Sequence, residues 1–562
     1  MIARARLRCR VVVVLEAPFL MRGLEGLGFG VDAAQIRDRK DRALIPGDQL
    51  KGLLRQAVRD LQGTDVALDE TALFGRHIDE AEGQADERRG TLILTDLVAP
   101  CLPTGEILPR VAIEPATGSA RSGHLLMIES VAPIGERVTF EGELVAFVEA
   151  GEGDATVAGL RAALGLIPAI GAMETAGFGR VVEVELVEIA REPLLPASPG
   201  RRQGGRLAWS FGLDRPLLAS AERLEANVLA GSEMIPGAVL KGALARRLEL
   251  AGRNPKESPW RAILEQLHVG HAFPRRQGSE HGRALPLSVV TDRGGTQWRD
   301  ALVWDEVLFP DGTVPLFRPD WKGDAVGRLR HRLGIGAGVP QVTRTRTAID
   351  PKHGRADDSR LFSFRMVDPT DVRWRTVIDT GALEGNELQE LLAILALGLD
   401  GIGKTDAAMV EPALQPLPDP APPAPVPGTT DRFALMLETP ALMIDTEALE
   451  DKDSLARAFA TYFDQASGGT LACERFFASQ SWAGGIVAFG RTPYRPFVLV
   501  DAGSCFLLRG DPAPIHGWLR QGLPLPGWAT TEGLDWRTCR YLPENGFGAI
   551  GIDRARPVRE GM

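Results

Sequence analysis

The chain has 562 residues, a formal net charge of −10, 44% hydrophobic residues and 25% charged residues. This composition suits a globular protein and excludes a disordered or collagen-like one, and the length predicts roughly three or four domains. A net negative chain is not a wholly basic nucleic-acid coat, although a local basic stripe escapes a whole-chain sum.

From the N-terminus, the run VVVVL after Arg10 predicts a buried strand. It lacks the small-residue cleavage site of a signal peptide, and no apolar run reaches the roughly 18 residues needed to span a bilayer. A cytoplasmic protein with no membrane partner is expected. The cysteines, Cys9, Cys101, Cys473, Cys505 and Cys539, are odd in number, scattered and never spaced C-x-x-C. That spacing fits a reducing compartment and indicates neither a disulfide framework nor a cysteine zinc site.

The segment IPGDQLKGLLRQ, starting at Ile45, opens with a Pro46-Gly47 turn and a capping Asp48. Leu50, Leu53, Leu54, Val58 and Leu61 then form one apolar helix face, with Lys51, Arg55 and Arg59 on another. Backbone amides exposed beside a lysine suit phosphate; a capped helix with a solvated basic edge is the alternative. Next, RVAIEPATGSARSGHLLMIESV runs from Arg110 through a small-residue loop holding Arg121, a composition that suits contact with a backbone ligand. After the apolar LRAALGLIPAIG comes GFGR, in which Gly177 and Gly179 permit close backbone approach and Arg180 supplies a cation for phosphate. A plain glycine turn between helix and strand would read the same way.

The stretch REPLLPASPGRRQGGR at 191–206 marks a boundary, and beyond it the same motifs return in the same order. IPGAVLKGALAR starts at Ile235 and brings Gly237 and Lys241. RTAIDPKHGRADDSRLFSFRMV starts at Arg346, and GIGK at 401–404 brings Gly401, Gly403 and Lys404. The first two motifs stand 65 residues apart in one copy and 111 in the other, which predicts an insertion in the second. In LHVGHAFPRRQGSEHGRALPLSVV, His268, His271 and His281 lie close together and invite a zinc reading, with no cysteine nearby.

GLDGIGKT at 398–405 matches the G-x-x-x-x-G-K-[ST] pattern of nucleotide-binding loops. A working loop of that kind needs a strand before it and a helix after it. Here helix-patterned NELQELLAILAL precedes the glycines and prolines follow, so the context is inverted and nucleotide binding is the lesser alternative. Closely spaced prolines at 411–430 predict an extended, semi-rigid spacer, followed by a module containing ERFFASQSWAGG, whose aromatics suit either base stacking or a core, and GFGA at 546–549.

The ordered set I-P-G-x-x-L-K-G-x-L, LFG at 73–75, R-x-A-I-[DE]-x-x-[TH]-G and G-[FI]-G-[RK] resembles the RAMP superfamily of CRISPR-associated proteins. It is most similar to the backbone subunits of type III effector complexes. Residues 1–195 look like a Cas-seven-like domain and 205–410 a second RAMP domain with an insertion. After the 411–430 linker, 431–562 resembles a C-terminal ferredoxin-like module, with III-D-like features of the Csx-ten and Cas-five-like proteins. The resemblance implies an α+β fold of tandem ferredoxin-like, RRM-like domains with glycine-rich loops. It also implies binding of CRISPR RNA through Gly47, Lys51, Arg55, Arg110, Arg121, Gly177, Gly179, Arg180, Gly237, Lys241, Arg346, Gly401, Gly403 and Lys404. Target RNA, a large polymerase-like subunit, a small subunit and other RAMP subunits are the implied partners. In that family an aspartate before I-P-G cleaves target RNA with a divalent metal ion, magnesium here, and Asp32 lies at the matching place. Asp38 and Asp41 compete with it, and a purely structural RNA-binding subunit is the other outcome. Thirteen residues before Ile235 stands Glu222, so a second cleavage site is not expected.

Overall fold

A computed structural model describes residues 4–23, 30–75, 89–99, 105–149, 151–195, 203–220, 222–225, 227–350, 355–445, 454–485 and 495–552. Cys101 and the start of the loop before Asp32, residues 24–29, lie outside them.

The first strand, Arg4–Glu16, alternates in and out: Leu7, Cys9, Val11, Val13 and Leu15 are buried while the arginines between them face the other side. That period-two pattern puts one sheet face on a core and leaves the other polar. The strand Arg206–Leu213 repeats it with Leu207, Trp209, Phe211 and Leu213, whereas Arg432–Leu437 is buried on both faces, with Phe433, Leu435 and Leu437 on one and Ala434 and Met436 on the other. Each of these strands sits second from the end of an antiparallel sheet built the same way.

In the first sheet, Leu97–Val98, Arg137–Glu149, Arg4–Glu16 and Arg180–Pro193 are neighbours in that order. In the second the order is Phe273–Arg276, Arg373–Asp379, Arg206–Leu213 and Met409–Pro416. In the third it is Leu471–Phe477, Cys505–Gly510, Arg432–Leu437 and Ile550–Gly551. One helix follows the first strand of each unit and another follows the third: Gly47–Asp60 and Gly153–Gly165, Gly237–Leu250 and Gly385–Leu397, Ser454–Ser467 and Ala513–Gln521. The β-α-β-β-α-β order with sheet order 2-3-1-4 is the ferredoxin-like fold. The α+β class read from the sequence is therefore the observed one. Each unit buries its own apolar cluster between sheet and helices.

Every unit also carries a long hairpin between its second and third strands. The first pairs Glu106–Ile113 with Ala120–Ser130, the second Gln341–Asp350 with Arg355–Val367, the third Gln480–Gly485 with Arg495–Val500. The insertion expected in the second unit is a small body of its own, with Leu285, Val289, Trp298, Ala325, Leu329 and Ile335 packed together.

The proline-rich stretch at 411–430, expected as an extended, semi-rigid spacer, is partly built into the second unit. Its first residues complete the strand Met409–Pro416 at a sheet edge, a position that tolerates proline because the missing N–H is not needed there. Beyond the strand, the carbonyl of Pro418 accepts from Arg206 at 2.9 Å, that of Pro420 from His516 at 3.1 Å, and Val426 is buried. Proline leaves its own carbonyl a free acceptor, and neighbouring side chains have taken these up.

Candidate nucleic-acid interface

Asp32 is exposed, and its backbone and carboxylate both grip the first hairpin. Its N–H donates to the Met127 carbonyl at 2.8 Å, and the Met127 N–H donates to Asp32 Oδ2 at 2.7 Å. Ala33 bridges Ile128 in parallel, and Leu20, Ala33, Ile128 and Phe178 form a small apolar cluster. This cluster fastens together the Asp32 loop, the hairpin base and the 177–180 loop. The Arg110 guanidinium lies 5.3 Å from the centre of the Phe178 ring. Arg180 keeps 69% of its side chain exposed, 3.5 Å from Glu16. Asp32, Arg110, Gly177 and Arg180, far apart in sequence, thus converge at one hairpin base, while Arg121 is exposed towards its tip.

The competitors of Asp32 fare differently. Asp38 accepts from the Lys40 and Arg42 amides, each at 2.9 Å, and from the Arg42 guanidinium, so its oxygens are taken by its own turn. Asp41 is left-handed at φ 60° and exposed, facing Arg37 at 3.5 Å.

The second unit has no counterpart of Asp32, for a reason different from the one that counting residues suggests. Val228 pairs with Ser363 and Leu229 with Phe364, in parallel. In the aligned repeat Ser363 corresponds to Met127 and Phe364 to Ile128, so the position of Asp32 is filled by Val228 and not by Glu222. The loop to I-P-G is six residues shorter in the second copy, which moves the register.

Among the described residues three glycine-rich loops share one geometry. Gly177 and Gly179 have φ 86° and 68°, Gly401 and Gly403 79° and 69°, Gly546 and Gly548 88° and 72°. This is the left-handed region that glycine alone enters without strain. The residue between each pair, Phe178, Ile402 or Phe547, packs into an apolar cluster. A Cβ on Gly179 would stand 2.0 Å from the Ile170 carbonyl, and one on Gly403 2.7 Å from that of Leu218. All three loops run from helix to strand, the reverse of a nucleotide loop. In the GIGKT stretch the Ile402 and Lys404 amides donate to the carbonyls of Ala407 and Leu218, so they are not free to ring a phosphate. Lys404 itself is exposed.

The Pro-Gly turns require a correction to their reading as phosphate cradles. The Gly47 amide donates to Asp96 at 2.9 Å, and the Gly237 amide to His271 Nδ1 at 3.2 Å. Lys51 donates to the Leu92 carbonyl at 2.7 Å and Lys241 to that of Glu544 at 3.4 Å. Burial lowers the Lys51 ammonium from its ordinary value and brings that of Lys241 down to about 8. Arg55 pairs with Glu70 and donates to the Gly75 carbonyl at 3.0 Å. These groups are committed inside the protein.

What they build is a pair of joints. At the first, Arg346, the repeat partner of Arg110, pairs with Asp48. Arg344 forks onto Asp96, at 3.0 Å through Nη1. Burial pushes the Asp96 carboxyl up, but the Arg344 guanidinium and the Gly47 amide outweigh it and hold the group below the usual carboxylate range. Arg89 donates to the Gly403 carbonyl at 3.1 Å and pairs with Asp406, and Arg6 meets Asp400 at 3.0 Å. At the second joint, Lys241 reaches the Glu544 carbonyl and His271 meets the Phe547 ring edge to face at 4.7 Å. Arg283 pairs with Glu438 at 2.9 Å and Arg520 with Asp379. In both joints the glycine loop of one unit lies against the unit before it. The sequence reading missed Arg89, Asp96, Arg344 and Asp400; the closely spaced arginines of VTRTR were the available signal.

A cleft of about 920 Å³ separates the first two units. Several of its cations are matched there by carboxylates, Arg8 with Glu143, Arg42 with Asp38, Arg215 with Asp214. As for zinc, His271 Nδ1 accepts from Gly237 and His281 Nδ1 meets the Ala337 carbonyl. Among the described residues no group of three or more His, Cys, Asp or Glu is arranged to hold a metal ion, and no helix is long and apolar enough to cross a membrane.

Residues 15–182, within the first unit, match the family model described as the RAMP superfamily. Among solved structures, the chain is similar to one chain of the cryo-EM structure of the Type III-B Cmr-beta bound to cognate target RNA. Identity is 17%, over 33% of this chain and 62% of that one, with a TM-score of 0.24. A chain of the Type III-B Cmr-beta bound to cognate target RNA and AMPPnP, state 1, is 11% identical over 54% of this chain and 86% of that one, with a TM-score of 0.29. No curated protein matches the chain.

Proposed function

We propose, on the premise of the match between residues 15–182 and the RAMP superfamily model, that this chain is a CRISPR RNA-binding backbone subunit of a type III effector complex. The observation that carries the reading is the convergence of Asp32, Arg110 and Arg180 at one hairpin base inside the matched segment. Arg110, Arg121, Arg180 and Lys404 are the cations this reading assigns to the guide backbone. Phosphate contacts fix position without reading sequence, so base pairing between guide and target would supply the specificity. Target RNA, the large and small subunits and further RAMP proteins are its partners in this reading.

Cleavage of target RNA is assigned to Asp32 alone, with magnesium. Asp32 Oδ2 is held by the Met127 amide, which leaves the second oxygen for a metal ion. Magnesium is commonly held by one or two carboxylates with substrate phosphates and water completing its shell, so one exposed carboxylate fits this ion when RNA is present. The ion, once bound, would polarise the phosphoryl group. The residues of the chain orient that carboxylate and hold the RNA backbone beside it.

The test is to purify the protein and sequence any bound small RNA; a species of defined 5' end is expected, and its absence from the intact complex would end the reading. In the assembled complex, Asp32→Ala should abolish one cut position in target RNA while guide binding persists. Unchanged cutting would leave a structural RNA-binding subunit. ATP binding by the wild type, abolished by Lys404→Ala, would favour a nucleotide site instead.

A further inference from the structure

The insertion of the second unit carries a loop, residues 304–317, that is tied at its root and apolar at its surface. Phe309 is buried, with its ring 5.3 Å from that of Trp304. Its amide donates to the Thr313 carbonyl at 2.9 Å. Asp311 accepts from the Thr313 amide at 3.0 Å, from the Thr313 hydroxyl at 2.6 Å and from the Gln297 side chain at 2.6 Å. Thr291 and Leu316 exchange both backbone hydrogen bonds, at 3.1 and 2.8 Å. Leu308 and Val314 flank the closing pair of this turn and are 44% and 61% exposed, with Val307 at 83% and Phe317 at 40%. Phe317 stacks on Phe477 of the third unit, ring centres 5.6 Å apart. Single exposed apolar residues are ordinary, whereas a cluster of them rimmed by polar groups marks a surface that another molecule covers.

The charge around this patch has one sign. Between residues 304 and 320 stand Asp305, Glu306, Asp311 and Asp320, all exposed, and a single cation, Arg318, whose guanidinium donates inward to the carbonyls of Leu285 and Pro286 at 2.7 and 3.0 Å. Arg475 of the third unit takes Asp305 at 2.7 Å, which leaves Glu306, Asp311 and Asp320 facing solvent. We infer that this loop docks a different protein through a groove that is apolar at its floor and bordered by lysine or arginine. The floor receives Val307, Leu308 and Val314, and the border meets Glu306 and Asp320. An RNA backbone or an anionic lipid surface would bring negative charge against negative charge, which Coulomb repulsion opposes. Two copies of a chain with a formal net charge of −10 repel each other in the same way, so the partner is not this chain. Because the turn is already closed by its own hydrogen bonds, little conformational freedom is lost on docking. The loop is also fastened to the third unit through Asp305 and Phe317, so a protein held there is fixed relative to both the second and third units. The inference stands on the insertion and holds whether or not the first unit binds RNA.

The test uses the full chain with a photoreactive benzophenone amino acid at Val307, an apolar replacement at the most exposed position of the patch, expressed in its native cell and irradiated in fresh extract. The expected product is a cross-link to one other protein, mapped to a peptide in which apolar residues adjoin lysine or arginine. Glu306→Lys with Asp320→Lys should lower its yield at least tenfold, while the thermal unfolding midpoint and any co-purifying RNA stay as in the parent. Raising salt from about 0.05 to 0.5 M should lower the parent's yield by screening the charges, and should change that of Glu306→Gln with Asp320→Asn far less. Cross-links to RNA, to lipid, to a second copy of the chain, to a protein surface without such residues, or to nothing would each overturn the inference. So would a yield that the reversed charges leave unchanged. Absence of bound small RNA, with the protein cross-link intact, would instead sink only the functional reading above.

Discussion

Asp96 shows how a single side chain can carry a joint. It takes the Gly47 amide from its own unit and the Arg344 fork from the next, with side-chain exposures of only 18% and 14% for the ion pair. Removing one partner of so covered a pair leaves an uncompensated charge, which costs about 3 kcal/mol or more. Arg344→Ala should therefore lower the denaturation midpoint sharply, and Asp96→Asn added to it should recover part of the loss; strict additivity in the double-mutant cycle would show that the two do not interact. Acid tests the second joint. Burial brings His268 down to about 4 and His271 to about 3, from an ordinary 6.5. The unfolded chain thus binds more protons between those values, so stability is intact above about pH 6.5 and falls as pH drops, by up to about 1.4 kcal/mol per group and pH unit. In His271→Asn, whose carbonyl can still accept from Gly237, the slope measured between pH 6.5 and 5 should be shallower. Much at this scale was not legible in the sequence. Lys51 and Arg55 were visible as cations on a helix, but whether a cation meets solvent or a carbonyl depends on which unit packs over it.

At the scale of elements, the glycine loops separate two requirements that sequence alone merges. Gly179 combines φ 68° with a carbonyl 2.0 Å from where its Cβ would be, whereas Gly177, at φ 86°, has open space. Gly179→Ala must pay for a left-handed residue, about 1–2 kcal/mol, and also displace backbone; Gly177→Ala bears only the first. Thermal melts should rank them in that order, and equal losses would mean the Ile170 contact does not matter. The motifs made these loops readable, because close approach forces glycine wherever the fold recurs. The third hairpin, Gln480–Gly485 with Arg495–Val500, escaped notice, since strand pairing needs a pattern of burial and no particular residues. The position of Val228 escaped for a related reason: a shorter loop shifts the register, and only the pairing with Ser363 reveals it.

For the whole molecule, the order of units is written in the chain, yet their attachment is not. Residues 421 and 422 of the proline stretch are exposed, while just before them Arg206 of the second unit holds Pro418, and Arg520 and His516 of the third hold Asp419 and Pro420. Beyond these, the insertion reaches the third unit: Arg475 donates to the carbonyls of Ala301, Leu302 and Trp304 and pairs with Asp305 at 2.7 Å. Leu302 also joins Ala434, Met436, Cys505 and Leu507 in an apolar cluster. A protease that cuts at 421–422 should give two bands on a denaturing gel but a single species by sedimentation; separation of the fragments in low salt would show that the peptide link was the bond that mattered. The proline segment then works as an assembly instruction whose task is over once folding is done: it sets which unit comes third, and the side chains on either side keep it there.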